Sequence, residues 1–202
     1  MDKFICHGCA KCCKKFGPKG LPLFEFEKKK AKEIALRKGI AINILPTEVF
    51  LDKKSGQRFA VLYGLFQEPC PFLKDNQCSI YDERFMICRQ FPVFSTASFR
   101  FAKIKGAPEF MECGNFDTAK QFSQFLSKEF KSIPEIEEYL KNTYETCFDV
   151  AKKSNEESER IMDKLIALEK EGKIDLKSVD YKSLKKDEKV LGFSEFLKSI
   201  PN

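Results

Sequence analysis

Eight of the nine cysteines fall into two tight groups, and no other feature restricts this chain so sharply. The first group is Cys6-x2-Cys9-x2-Cys12-Cys13, at the N-terminus. The second is Cys70, Cys78, Cys88 and Cys113, each beside Pro, Arg, Gly or a loop-forming polar residue. Cysteine is usually a sparse, buried residue, so crowding it at loop spacings demands a chemical reason. Thiolates converging on a soft or borderline metal supply that reason.

A C-x2-C spacing lets the backbone wrap one ion so that two sulfurs bind it at about 2.3 Å. Cys6 and Cys9 have that spacing, as do Cys9 and Cys12, and Gly8 lets the chain wrap closely. Three cysteines in such a run are also the pattern that holds three irons of a cubane cluster. Zinc, iron and a 4Fe-4S cluster are therefore the candidate cofactors. Adjacent side chains diverge, so Cys12 and Cys13 either serve two metal atoms or include one non-ligand. Eight thiolates build two four-coordinate sites, or one site plus a reserve of reactive thiols. The first arrangement uses every clustered cysteine, and it is the one expected here.

Two blander readings stand beside it. Inert packed cysteines or extracellular disulfides fit poorly with the dense spacing and the odd total. A structural zinc that only holds loops together is the serious rival. His7, the only histidine, lies inside the first C-x2-C and is not expected to be a ligand. Cys147 stands apart, on an expected helix, and reads as a small core residue.

Charge and length limit the alternatives. Lys and Arg number 36 against 30 Asp and Glu, a mild excess dominated by Lys. Lys and Glu alternate along expected helices, as on a solvated face, so a nucleic-acid partner is not expected. No stretch approaches the ~20 apolar residues that span a bilayer. The first residues lack the apolar core of a secretory signal, so the expected location is the reducing cytoplasm. With 21 Phe and no Trp, the core should be built on phenylalanine.

The expected fold class is α+β. A helix is expected from Phe24 to Lys38, stopped by Gly39. Thr47 to Phe66 reads as a β-hairpin whose turn runs from Asp52 to Gly56. A strand is expected at Ser98 to Ile104, and an amphipathic helix at Thr118 to Lys131. Pro134 opens a long helical run to Gly172. The polar stretch Lys152 to Arg160 makes that run two helices or one partly exposed rod. A Lys-rich tail follows, with a short helix near Ser194. The expected division is an irregular cysteine-cluster domain over 1–116 and a helical extension over 117–202.

Around the second group the order is Cys70-Pro71-Phe72-Leu73, Cys78-Ser79-Ile80-Tyr81, Arg84, then Cys88-Arg89-Gln90-Phe91-Pro92. Ile80, Tyr81 and Phe91 are expected to brace the loops by packing. Arg84 and Arg89 are expected to offset the charge of clustered thiolates.

Taken in order, these stretches resemble the YkgJ family of cysteine-cluster proteins, described as zinc- or iron-chelating. That family has Cys-x2-Cys-x2-Cys-Cys, then Cys-x-Phe-Leu, Cys-x-Ile-Tyr, Arg-Pro-x2-Cys-Arg and Phe-Pro. Two positions depart from its pattern: Ala10 stands where Gly usually follows the second cysteine, and Phe85 stands for the usual Pro. The resemblance implies metal binding by the eight clustered cysteines. Some proteins sharing the domain are associated with methylation of flagellin lysines, which implies a competing reading as an iron–sulfur enzyme. No glycine-rich nucleotide fingerprint accompanies it. A third reading is an interaction module with structural zinc, whose helical tail docks a protein partner.

Overall fold

The computed structural model describes residues 10–91, 93, 131–185 and 188–200. Cys6, His7, Cys9 and Cys113 lie outside the described residues, as do the strand expected at Ser98 to Ile104 and the helix expected from Thr118. The chain divides into two compact units. One takes residues 1–17 and 68–156, the other 18–67 and 157–202. The architecture is α+β, as the sequence patterns require.

The second of these units is organised by one strand. Phe59 to Tyr63 is a continuous apolar run, and such runs suit a strand buried on both faces. The run lies in β3 (Arg58–Leu65), with β2 (Ile44–Leu51) antiparallel along one edge, so the expected hairpin is present. Its other edge is shared. β1 (Leu21–Phe24) pairs antiparallel with Leu62 to Leu65, and β6 (Val190–Gly192) pairs in parallel with Arg58 to Ala60. The core is indeed phenylalanine: the Phe59 and Phe196 rings stack 3.8 Å apart, with Phe50 and Phe193 also stacked on Phe59.

Helix α2 (Glu25–Lys38) lies beside this sheet and ends as expected at Gly39, whose φ of 65° needs no Cβ. Its start is fixed by Glu27, a buried carboxylate that accepts the Phe24 backbone N–H at 3.2 Å. Glu25, the first residue of the same helix, ties it to a later element. It accepts from both the backbone and hydroxyl of Ser194, at the start of α5 (Phe193–Ser199). Replacing Glu27 by Ala removes a cap and leaves a buried donor without a partner. A loss of about 1–2 kcal/mol in denaturant unfolding is the expected result.

The other unit carries α1 (Lys11–Lys14), the short hairpin β4 (Leu73–Lys74) and β5 (Gln77–Cys78), and α3 (Met86–Gln90). It also holds the first part of α4 (Ile133–Lys170). The break in α4 falls at Tyr144, whose φ of −129° and ψ of 37° are not helical. Of the two readings left open for this run, two helices or one partly exposed rod, the kink at Tyr144 divides it into two helical parts, and the polar stretch Lys152 to Arg160 is helical throughout. A polar face tolerates a continuous helix in water, whereas buried Tyr144 sits in the apolar cluster of Val93, Ile136, Leu140, Cys147 and Ala151. Cys147 is in that cluster, as its sequence setting led one to expect. Among the described residues, no helix is long and apolar enough to cross a membrane.

Candidate metal centre

Three short pieces of backbone bring the described cysteines together. The first is α1, a single turn entered from Ala10. Ala10 has φ 60° and ψ 5°, and its carbonyl accepts the Cys13 N–H at 2.9 Å. The second piece is tied to the first by its backbone: the Cys70 N–H donates to the Cys13 carbonyl at 2.7 Å. A further tie joins the Phe16 N–H to the Glu68 carboxylate. Past Cys70 the chain turns tightly, Leu73 N–H to Cys70 carbonyl at 2.9 Å, and enters the β4–β5 hairpin. Its two loop residues, Asp75 and Asn76, both have positive φ, as the tight hairpin turn requires. That places Cys78 opposite Leu73.

The third piece carries Cys88 on α3, where its N–H donates to the Phe85 carbonyl at 3.0 Å. Beneath these loops, Phe72 and Phe85 are buried edge to face, 5.9 Å apart, and Ile80 is buried too. The expectation for Ile80 holds. Tyr81 is corrected: it is 45% exposed and does not pack under the loops. A three-residue helical turn, Tyr81–Glu83, turns its ring outward, where the Arg84 guanidinium lies 3.9 Å over it.

The two departures from the family pattern are readable in this geometry. Phe85 has φ −68°, which is the value proline imposes, so the backbone shape survives and an aromatic ring is gained. Ala10 is different. Its left-handed φ costs a residue with a Cβ about 1–2 kcal/mol. Ala10→Gly should relieve that strain against a smaller entropic loss. The expected net gain is about 1 kcal/mol in unfolding free energy, and Ala10→Val should instead lose stability.

The described thiols influence one another electrostatically. The Cys12 and Cys13 Sγ atoms are 3.9 Å apart. Sulfurs on one tetrahedral ion are separated by ~3.8 Å for bonds of ~2.3 Å, so adjacency alone does not forbid a shared ion. The hydrogen bond from Cys12 is the main reason that the Cys13 thiol is lowered to about 7, and Arg84 adds to it. Burial pushes Cys70 up to about 11, with the charges of Cys13 and Cys78 adding to the rise. Burial raises Cys88 well above the usual thiol value, and Cys70, Cys13 and Cys78 all contribute repulsion. These four side chains therefore sense one another, although they come from separate pieces of chain. None of the described cysteines is in a disulfide.

Among the described residues, no group of three or more His, Cys, Asp or Glu side chains is arranged to hold a metal ion. Cys6, Cys9 and Cys113 lie outside the described residues. Arg89 is exposed at the end of α3, so of the two expected arginines only Arg84 has a described link to the thiols. Sequence reasoning missed the Cys13–Cys70 backbone tie and the Glu68 contact. No local signal announces either. It also missed the β4–β5 hairpin, for which Asp75-Asn76 was an available turn signal.

The pKa shifts fix a pH dependence for the metal-free protein. The folded Cys13 value lies below the usual 9.0, so its contribution to stability is present above 9.0 and lost as pH falls through about 7. The folded Cys70 value lies above 9.0, so its contribution is present below 9.0 and lost as pH rises through about 11. Alkylation read by peptide mass mapping should therefore label Cys13 near pH 7. Cys70 and Cys88 should stay silent until strongly alkaline pH.

A family model matches residues 5–147, a span that takes in every cysteine: CxxCxxCC, described as "Putative zinc- or iron-chelating domain". No curated protein and no solved structure matches the chain.

Proposed function

The chain belongs to the CxxCxxCC family of zinc- or iron-chelating domains, and from that premise we propose that it binds zinc or iron through Cys6, Cys9, Cys12, Cys13, Cys70, Cys78, Cys88 and Cys113. Two four-thiolate sites account for all eight. The observation that carries this reading is Cys88, a thiol whose charged form is opposed by burial and by three other cysteines at once. Without a cation, gathering these sulfurs is electrostatically unfavourable once they ionise. A divalent metal reverses the sign of that interaction and draws the protons off the thiols. The donor set fits a borderline or soft ion, because thiolates select zinc, iron and iron–sulfur clusters over hard cations. Reduced thiols are what the cytoplasm maintains, and that is the compartment we assign.

Elemental analysis of protein purified anaerobically tests the proposal. Near-stoichiometric zinc or iron is expected. Folded, fully reduced protein that carries neither, and takes up neither when supplied, would refute it. The optical spectrum decides the cofactor form. A visible sulfur-to-iron band bleached by dithionite identifies an iron–sulfur cluster, and a colourless, zinc-loaded protein excludes it.

A further inference from the structure

We propose that Cys12 and Cys13 are a peroxide-reactive pair, which closes to a vicinal disulfide and so takes both sulfurs out of metal binding. The loss of metal rests on the metal-binding reading above, whereas the disulfide itself does not. Its basis is geometric. Adjacent side chains ordinarily point apart, yet these two Sγ atoms lie 3.9 Å from one another, in contact. Both thiols are only part-buried, and the exposed Lys11 and Lys14 stand on either side of them. Cys147, by contrast, is buried in its apolar cluster.

The backbone here lets the ring form. Helix α1 is four residues long, entered through left-handed Ala10 and left through extended Lys15. A single turn has no cooperative hydrogen-bond ladder to protect, so the Cys12–Cys13 peptide twists at small cost. The main chain of Cys13 stays held, its N–H by Ala10 and its carbonyl by Cys70. Adjacent Cα atoms are ~3.8 Å apart across a trans peptide, closer than the ~4.4 Å at which most disulfides begin. The ring is therefore strained, and strained disulfides are readily reduced. That suits a reversible guard better than a structural bridge. The chemistry balances in two steps. One thiolate attacks hydrogen peroxide, giving a sulfenic acid and hydroxide, which takes up the proton that the thiol lost. The neighbouring thiol then attacks the sulfenic sulfur, so the S–S bond forms and water leaves. Each sulfur gives up one electron, and the peroxide ends as two waters. A disulfide sulfur is no longer a thiolate, the form that binds metal.

Peptide mapping of metal-free, reduced protein treated with hydrogen peroxide tests the proposal. Trypsin cleaves after Lys11 and Lys14, which isolates Cys12 and Cys13 in one short peptide. That peptide should weigh two hydrogens less and resist alkylation until a dithiol restores both thiols. Cys147 should stay reduced. Cys12→Ser should instead accumulate a sulfenic acid on Cys13, trapped by dimedone, because its partner is gone. In zinc-loaded protein, ring closure should release zinc to a chromophoric chelator. Cross-links from this pair to Cys70, Cys78 or Cys88, or a mixture of pairings like that of the urea-unfolded chain, would overturn the proposal and leave the metal reading standing. A closed ring in protein that keeps its zinc overturns the link to metal. A closed ring in protein that never takes up zinc or iron upholds the disulfide and overturns the metal reading.

Discussion

With Cys88 in the proposed ligand set, Cys88→Ser should lower metal affinity by about a hundredfold or more. Zinc sites of four thiolates release ~10–16 kcal/mol on binding, so one ligand in four accounts for roughly 3 kcal/mol. Cys88 is the most informative choice because burial and three other cysteines act on its thiol. Serine keeps the volume and removes the soft donor, so the loss reads on ligation and not on packing. The control is Cys147→Ser, in the apolar cluster with Leu140 and Tyr144. It should keep its metal and lose about 1–2 kcal/mol of stability, since a hydroxyl enters an apolar site. Equal metal content in the parent and Cys88→Ser proteins would remove Cys88 from the ligand set.

Gly64→Ala should be the most damaging change of a single methyl in the other unit, costing about 3 kcal/mol or more. Gly64 lies in the central strand β3, opposite Pro22 on one side and Leu45 on the other. A Cβ there would run into the backbone carbonyl of Lys19, and would stand 2.8 Å from the Phe66 ring and 3.0 Å from the Thr47 methyl. Backbone oxygen cannot rotate away as a side-chain tip can, so the strand pairing itself must shift. Overpacking a rigid site costs ~1–3 kcal/mol, and more when backbone is displaced. Gly192→Ala provides the contrast. Its Cβ would meet the end of the Glu25 side chain, which can move, so a smaller loss is expected. Urea unfolding of both variants checks the pair. A Gly64→Ala protein within 1 kcal/mol of its parent would show that the close approach at β3 is wrong.

Where apolar period and turn chemistry agreed, the fold was legible. The hairpin of β2 and β3 followed from two apolar runs about Asp52 to Gly56, and α2 from its spacing and Gly39. Nothing local says that Cys13 and Cys70 share a backbone hydrogen bond. Such a contact depends on the whole chain. Tyr81 was misjudged because an aromatic beside Ile80 looks like core, whereas one three-residue turn is enough to send its ring outward. The break at Tyr144 was hidden for the opposite reason. Burial in an apolar cluster settles it, and the surrounding sequence remains strongly helix-forming. The parallel strand β6 escaped notice because three residues, Val190 to Gly192, carry too little pattern to be read before their partner is known.

The bond between Phe16 and Glu68, residues 52 positions apart, has a consequence for biosynthesis. With the Cys13–Cys70 tie beside it, it makes the intervening stretch an excursion that leaves and returns at one place. A ribosome therefore displays the leading thiols long before Cys70, Cys78 and Cys88 emerge. On the metal-binding reading proposed above, an ion bridging the two segments would make that costly long-range encounter durable, and metal loading would be coupled to loop closure.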